Sequence, residues 1–308
     1  MEEERDIEVE VGGALAGERV DRAVALVAEV SRAVATALCE AGDVTVCGLT
    51  CPKSQRLLAG ELLRVRIRGR ERPVLAEELP TILYGDDDLL VVEKPANLVV
   101  HAAMPRDPRP TLIGSVLRLY PEIAAVGEDP LRPGVVHRLD RGTSGVMLVA
   151  RSQRGFEALK SQLSQHLIER RYLALVQGVP AGGSGVVDAP LGRDLRNPRR
   201  VAVVWGGKRA VTRFQLVGGS AEYSLLDVRL ETGRTHQIRV HMASVGLPLA
   251  GDDLYGVRVA GLERPFLHSQ SIAFIHPFSK QRISVTSPLP GDLVEELELL
   301  GIGYTAAE

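Results

Sequence analysis

The segment His137-Arg138-Leu139-Asp140-Arg141-Gly142-Thr143-Ser144-Gly145 gathers charge and turn-forming residues directly before the apolar run Val146-Met147-Leu148-Val149-Ala150. A polar, glycine-containing loop that leads into a buried strand is a favourable place for a functional group, because the strand holds the loop rigid. A carboxylate held there can attack a carbon centre or assist its deprotonation without a metal. Spacing leaves a second reading open, since Asp and Thr at the positions of Asp140 and Thr143 also organise ordinary turns. Other chemistries find less support. His137, His236 and His241 match no zinc-helix spacing, and five residues put His236 and His241 on opposite faces of a strand. Cys39, Cys47 and Cys51 lack a nearby histidine to complete a zinc set and form no disulfide framework. No second carboxylate stands out to pair with Asp140 as in a glycosidase. Neither a metal nor a cofactor is expected.

Several elements must position this loop. Leu89-Leu90-Val91-Val92 reads as a buried strand ended by Lys94-Pro95, and Val146–Ala150 as another. Residues 155–168 read as an amphipathic helix with Phe156, Leu159, Leu163 and Leu167 on one face. Tyr172–Val176, Tyr223–Val228 and Thr235–Val240 read as further strands. The pattern predicts an α/β (α+β) domain.

Residues 18–68 form a different unit. Val20, Val24, Leu26, Val27 and Val30 have helical spacing, Ser31 suits the N-cap of a second helix, and Gly42 stops that helix. Val44-Thr45-Val46 and Leu62–Arg68 then alternate as short strands, with turn signals at Gly48 and Gly60. Residues 69–80, charged and carrying two prolines, suit a linker. Net charge is −2, so a nucleic-acid partner would have to be held by local patches. Residues 11–70 carry nine basic and six acidic side chains, and a second patch runs through Arg193, Arg196, Arg199, Arg200, Lys208, Arg209 and Arg213. The N-terminus is acidic where a secretory signal would be basic and then apolar, and no run approaches the roughly 20 apolar residues of a membrane span. A cytoplasmic protein that does not engage a membrane is expected.

The segment 137–150 resembles the signature of the RluA/RluD family of RNA pseudouridine synthases. Glu93-Lys94-Pro95-Ala96-Asn97-Leu98-Val99-Val100-His101 is similar to that family's upstream motif, with Asn97 where Gly is frequent. Arg170-Arg171-Tyr172 through Val176 resembles its basic-x-Tyr motif. Thr232-Gly233-Arg234-Thr235-His236-Gln237-Ile238-Arg239-Val240-His241-Met242-Ala243, then Gly251-Asp252, Tyr255-Gly256 and Pro265-Phe266-Leu267-His268-Ser269, follow in the family's order. Arg19-Val20-Asp21-Arg22, Ser31-Arg32, Gly42–Val46 and Gly60-Glu61 resemble the alpha-L RNA-binding module of small-subunit ribosomal protein S-four, with Cys47-Gly48 where Asn-Gly is common.

The resemblance implies two domains: residues 1–72 as the alpha-L module, and 73–308 as a catalytic domain built on a mixed, largely antiparallel sheet. It implies an isomerase that detaches uracil from ribose at N1, turns the base and reattaches it through C5. Asp140 would be the nucleophile, Arg239 the cation that keeps it ionised, and Tyr172 the ring against the target base. Arg138 would fill the space the flipped uridine leaves. His137, Leu139, Thr143, Arg234, His236 and Leu267 would complete the substrate site. The implied partner is RNA, large-subunit ribosomal RNA first, with the enzyme acting as a monomer.

Overall fold

The computed structural model describes residues 5–30, 32–67, 79–102, 104, 107, 109–194, 197 and 200–304. Ser31, most of the expected linker, the 72/73 boundary, and Arg68, Arg70, Arg196 and Arg199 of the basic patches lie outside the described residues.

The N-terminal part contains β1 (Arg5–Glu10), α1 (Val20–Val27), α2 (Arg32–Glu40), β2 (Val44–Val46), β3 (Leu49–Thr50) and β4 (Leu62–Ile67). Its strands form an antiparallel sheet in the order β1-β4-β2-β3. Val20, Val24, Val44, Leu63 and Val65 bury against one another in a core of their own. Strand β1 lies ahead of the unit read from sequence at residues 18–68. It is held by Glu8 to Arg64 and Asp6 to Arg66 across the register Glu8↔Arg64 and Asp6↔Arg66. Cys47 and Gly48 both take positive φ, 49° and 80°, as the two central residues of a type I′ hairpin require.

The remaining elements are β5 (Thr81–Gly85), β6 (Leu89–Lys94), α3 (Leu112–Leu119), a 3-10 turn (Pro121–Ala125), β7 (Ser144–Ala150), α4 (Gln153–Ser164), β8 (Glu169–Gln177), β9 (Ser184–Asp188), β10 (Leu191–Arg193) and β11 (Val201–Val203). They continue as β12 (Val211–Gly219), β13 (Tyr223–Leu230), α5 (Gln237–Ser244), β14 (Leu267–Ile275), β15 (Arg282–Thr286) and α6 (Gly291–Leu299). The large sheet runs β5-β6-β7-β14-β8-β13-β12-β9, with β15 also on β14. Its pairings are antiparallel except β7 with β14, so the sheet is mixed and largely antiparallel, as expected. β7 is buried along its whole length, which is why it reads as an unbroken apolar run.

At the β7–β14 junction the backbones nearly touch. Gly145 has φ 110°, and a Cβ there would lie 2.1 Å from the Ser269 carbonyl oxygen. Only glycine allows this approach, and it sets the polar loop at the centre of the sheet.

Two expectations are corrected. Residues 235–240 are not a strand: His236 takes the left-handed conformation at φ 55° and α5 begins at Gln237. The alternation Ile238, Val240, Met242 imitates a strand because α5 is buried on several sides, which erases the polar face that marks a surface helix. The α4 helix starts at Gln153, capped by Ser152, and stops at Ser164. Leu167 therefore lies beyond it, 56% exposed, and Ile168 is buried instead.

Candidate active site

The loop 137–143 is held through its backbone by two buried cations. Lys94, wholly buried, donates from Nζ to the carbonyls of Pro95 (2.7 Å), Leu98 (2.9 Å) and Arg141 (3.1 Å). Burial pushes the Lys94 ammonium down to about 7, against the opposing pull of Asp140. Arg264 donates from Nη1 to the Gly142 carbonyl (3.3 Å) and Ser144 Oγ (3.2 Å), and its other nitrogens hold Asp292. Successive carbonyls at 141 and 142 thus have separate donors. Asp140 accepts the turn-closing hydrogen bond of Thr143 N–H at 3.1 Å, so it does organise a turn while its carboxylate remains free for other contacts. Asn97 carries φ 62°, a conformation Asn tolerates better than most side chains, which accounts for Asn standing where Gly is frequent. Its carbonyl accepts from Arg141 Nε at 3.1 Å.

The carboxylate of Asp140 meets Arg239 from α5. Arg239 Nη1 lies 3.4 Å from Asp140 Oδ2, with the two side chains 11% and 17% exposed. The other edge of the guanidinium is spent on Asp252, by paired hydrogen bonds of 2.7 Å from Nε and Nη2. Asp252 is 1% exposed and also accepts the N–H groups of Leu254 and Tyr255. Burial alone would raise its carboxyl, but the bonds and charge of Arg239 outweigh it and hold it below the usual range. Asp252 therefore fixes the plane of the guanidinium and leaves one N–H edge facing Asp140.

Two adjoining clefts meet at Asp140. The larger, about 340 Å³, is lined by Val99, His101, Arg109, Arg138, Arg141 and Pro265. Its size is at the lower end of ligand-binding clefts. The smaller, about 40 Å³, is lined by Thr143, Tyr172, Leu230, Arg234, Ile238 and Leu267. Arg138, Leu139, Asp140, His236 and Arg239 border both. The fold thus brings together nine of the residues singled out by sequence: Arg138, Leu139, Asp140, Thr143, Tyr172, Arg234, His236, Arg239 and Leu267. Tyr172 is buried, and burial raises its phenol above the usual range, so the hydroxyl keeps its proton at neutral pH.

His137 stands apart from both linings. Its Nε2 accepts the Leu148 N–H at 2.9 Å, tying the loop to β7. Burial pushes its pKa down to about 3. An unfolded chain binds the proton near pH 6.5 and the fold does not, so stability rises with pH between about 3 and 6.5. His101, His236, His241 and His268, also lowered chiefly by burial, act in the same direction. Melting curves from pH 4 to 7 should show this slope, and His137→Gln, which keeps an acceptor for Leu148, should make it shallower. An unchanged slope would mean that His137 is not buried neutral.

Sequence reasoning quoted Lys94, Asp252 and Tyr255 within motifs but gave them no task. Tyr255 packs its ring under Arg239 (5.1 Å), and its hydroxyl lies 2.9 Å from His236 Nδ1. A side chain that acts on another side chain leaves no mark in spacing. Among the described residues no group of three or more His, Cys, Asp or Glu could hold a metal ion. No helix there is long and apolar enough to cross a membrane.

A partly buried Asp–Arg pair thus lies between two clefts, on a mixed sheet with a central parallel junction. Residues 88–244 match the family model of RNA pseudouridylate synthase. An uncharacterized RNA pseudouridine synthase of Mycobacterium bovis is 41% identical over 306 residues, covering 96% of this chain and 98% of the relative. A protein of Xanthomonas campestris named ribosomal large subunit pseudouridine synthase D is 39% identical, covering 90% of this chain and 87% of its own. The solved structure of human RNA pseudouridylate synthase domain containing 4 shares the fold, with TM-score 0.57 and 22% identity over 73% of this chain and 94% of that one. The chain belongs to the RNA pseudouridine synthase family and is an isomerase that acts on RNA.

Proposed function

We propose that this enzyme converts uridines of large-subunit ribosomal RNA to pseudouridine, with Asp140 as nucleophile. The observation that carries the reading is the Asp140–Arg239 pair, oriented from behind by Asp252 at the meeting point of two clefts. In the reaction the N1–C1′ bond breaks, a C5–C1′ bond forms, the C5 proton leaves and N1 takes one up, so the sum is an isomerisation and no redox partner is needed. Tyr172 lies against the base and assists proton transfer at the rearranged ring. Arg138 occupies the gap left in the RNA stack, while Leu139, Thr143, Arg234, His236 and Leu267 enclose the nucleoside. His137 supports the loop rather than the substrate.

Relatives named ribosomal large subunit pseudouridine synthase D, at 37–39% identity, favour that RNA over transfer RNA. Residues 1–72 act as a separate alpha-L RNA-binding module ahead of a catalytic domain at 73–308, and the enzyme works as a cytoplasmic monomer. The separate N-terminal core supports this division. The module's cations Arg19, Arg22, Arg32, Lys53, Arg64 and Arg66 each face a carboxylate, so it presents less free charge than its composition suggests. Mapping pseudouridines in total RNA from a deletion strain and its parent tests the substrate. Loss of one or a few sites in large-subunit ribosomal RNA is expected; loss confined to transfer RNA would overturn the assignment.

A further inference from the structure

Trp205 is the chain's one tryptophan, and its side chain is fully exposed, at 102%. It is not carried on a loose tip. It sits in the turn after β11, closed by Gly207 N–H donating to the Val204 carbonyl at 3.1 Å, with Gly206 at φ 75°. Val204 N–H donates to Pro190, and Lys208 and Leu191 exchange both backbone hydrogen bonds, at 2.8 and 2.9 Å. A Cβ on Gly192 would lie 2.5 Å from Val204, and one on Gly207 would lie 2.8 Å from Leu191, so the turn packs tightly on β10.

The root of this turn belongs to the active site. The Arg209 carbonyl accepts from Arg234 Nε at 3.1 Å, and Arg234 lines the smaller cleft. Ala210 packs with Leu191 and Val240, and Val240 follows Arg239 on α5. Arg209 is four positions along the chain from Trp205, a reach of at most about 14 Å. Tyr255 joins β11 to the cleft as well: its hydroxyl accepts Val201 N–H at 2.7 Å, and the Arg200 guanidinium lies 4.9 Å from its ring. The indole is thus an exposed aromatic face on a rigid support shared with Arg234 and Arg239.

We propose that Trp205 is a stacking platform for an unpaired base of the substrate RNA, flanking the uridine held at Asp140. Unpaired RNA is held by aromatic faces beside cations, because every base offers a π-face and every linkage a negative charge. Gly206, Gly207, Lys208 and Arg209 follow the indole; Lys208 and Arg209 are exposed, with Arg209 also 3.7 Å from Glu231. A protein partner would ask for a contiguous apolar patch, which glycines and cations do not supply. The proposal rests on the reading of Asp140 as the reacting residue of an RNA enzyme.

The test uses unmodified large-subunit ribosomal RNA transcribed in vitro, with the wild-type chain, Trp205→Ala and Trp205→Phe. Tryptophan emission of the wild type, which reports this residue alone, is expected to be quenched as RNA binds. Trp205→Ala is expected to raise Kd by roughly 5- to 150-fold, with Trp205→Phe restoring most of the affinity and kcat at saturating RNA unchanged. The side chain is fully exposed, so its loss removes little packing, and circular dichroism should show both variants folded as the wild type. Unquenched emission with an unchanged Kd in Trp205→Ala overturns the platform. If the wild type is active in that case, the reading of this RNA as substrate survives it. Tryptophan-dependent binding by a wild type that forms no pseudouridine supports the platform and fails the reading of this RNA as substrate.

Discussion

Asp140→Asn is expected to abolish pseudouridine formation, lowering kcat by at least about 10⁴-fold, the scale seen when an enzyme loses its nucleophile. RNA affinity and thermal stability should stay close to those of the wild type. Asparagine keeps the shape of the side chain and can still accept from Arg239 Nη1, but it has no anionic oxygen with which to attack. The loop does not depend on that charge for its position. Lys94 holds the Arg141 carbonyl, Arg264 holds the Gly142 carbonyl, and the Thr143 N–H bonds the Asp140 main chain. The measurement pairs tritium release from RNA labelled at uracil C5 with fluorescence anisotropy for binding. Substantial activity in the variant would remove Asp140 from the role of nucleophile. Free uracil among the products would instead mark a hydrolase.

Asp252→Ala should cost both stability and rate. Arg239 is nearly buried, and removing its bidentate partner leaves only Asp140, at 3.4 Å, to compensate the cation, which costs up to about 3–5 kcal/mol. Tm would fall by roughly 6–20 °C. The freed guanidinium would no longer be held edge-on to Asp140, and a misplacement of about 1 Å at such a site costs about 10²-fold in kcat. Asp252→Asn keeps one acceptor and should lose less of each. The pH dependence has a definite sign. Because the folded Asp252 carboxyl is held below its ordinary value, its contribution is whole above about pH 4 and is lost as pH falls through the folded value. Differential scanning calorimetry from pH 3 to 7 should show wild type and Asp252→Ala converging at the acid end. A variant with unchanged Tm and kcat would show that Asp252 does not orient Arg239.

The candidate residues and most of the strands around them were legible in the order of amino acids alone. β7 and β8 were legible because buried strands write apolar runs, and the motifs around Asp140, Tyr172 and Arg239 survive as local strings. The α5 helix was not legible: buried on several sides, it alternates like a strand, and only its packing, anchored where Gln237 Nε2 donates to the Val211 carbonyl and Thr212 Oγ1, decides its form. The same holds for His137, whose motif position suggested substrate but whose ring is spent on Leu148 of β7. Tertiary structure alone decided which groups meet. Arg239 is 99 residues from Asp140, and Lys94 and Arg264 approach the loop from β6 and from the segment before β14. Such contacts are set by the β7–β14 junction, where Gly145 lets two backbones close to a distance no side chain would permit. Local residue types fix what a group can do, whereas the ionic and hydrogen-bonded company that makes it do so comes from chain segments far apart in sequence.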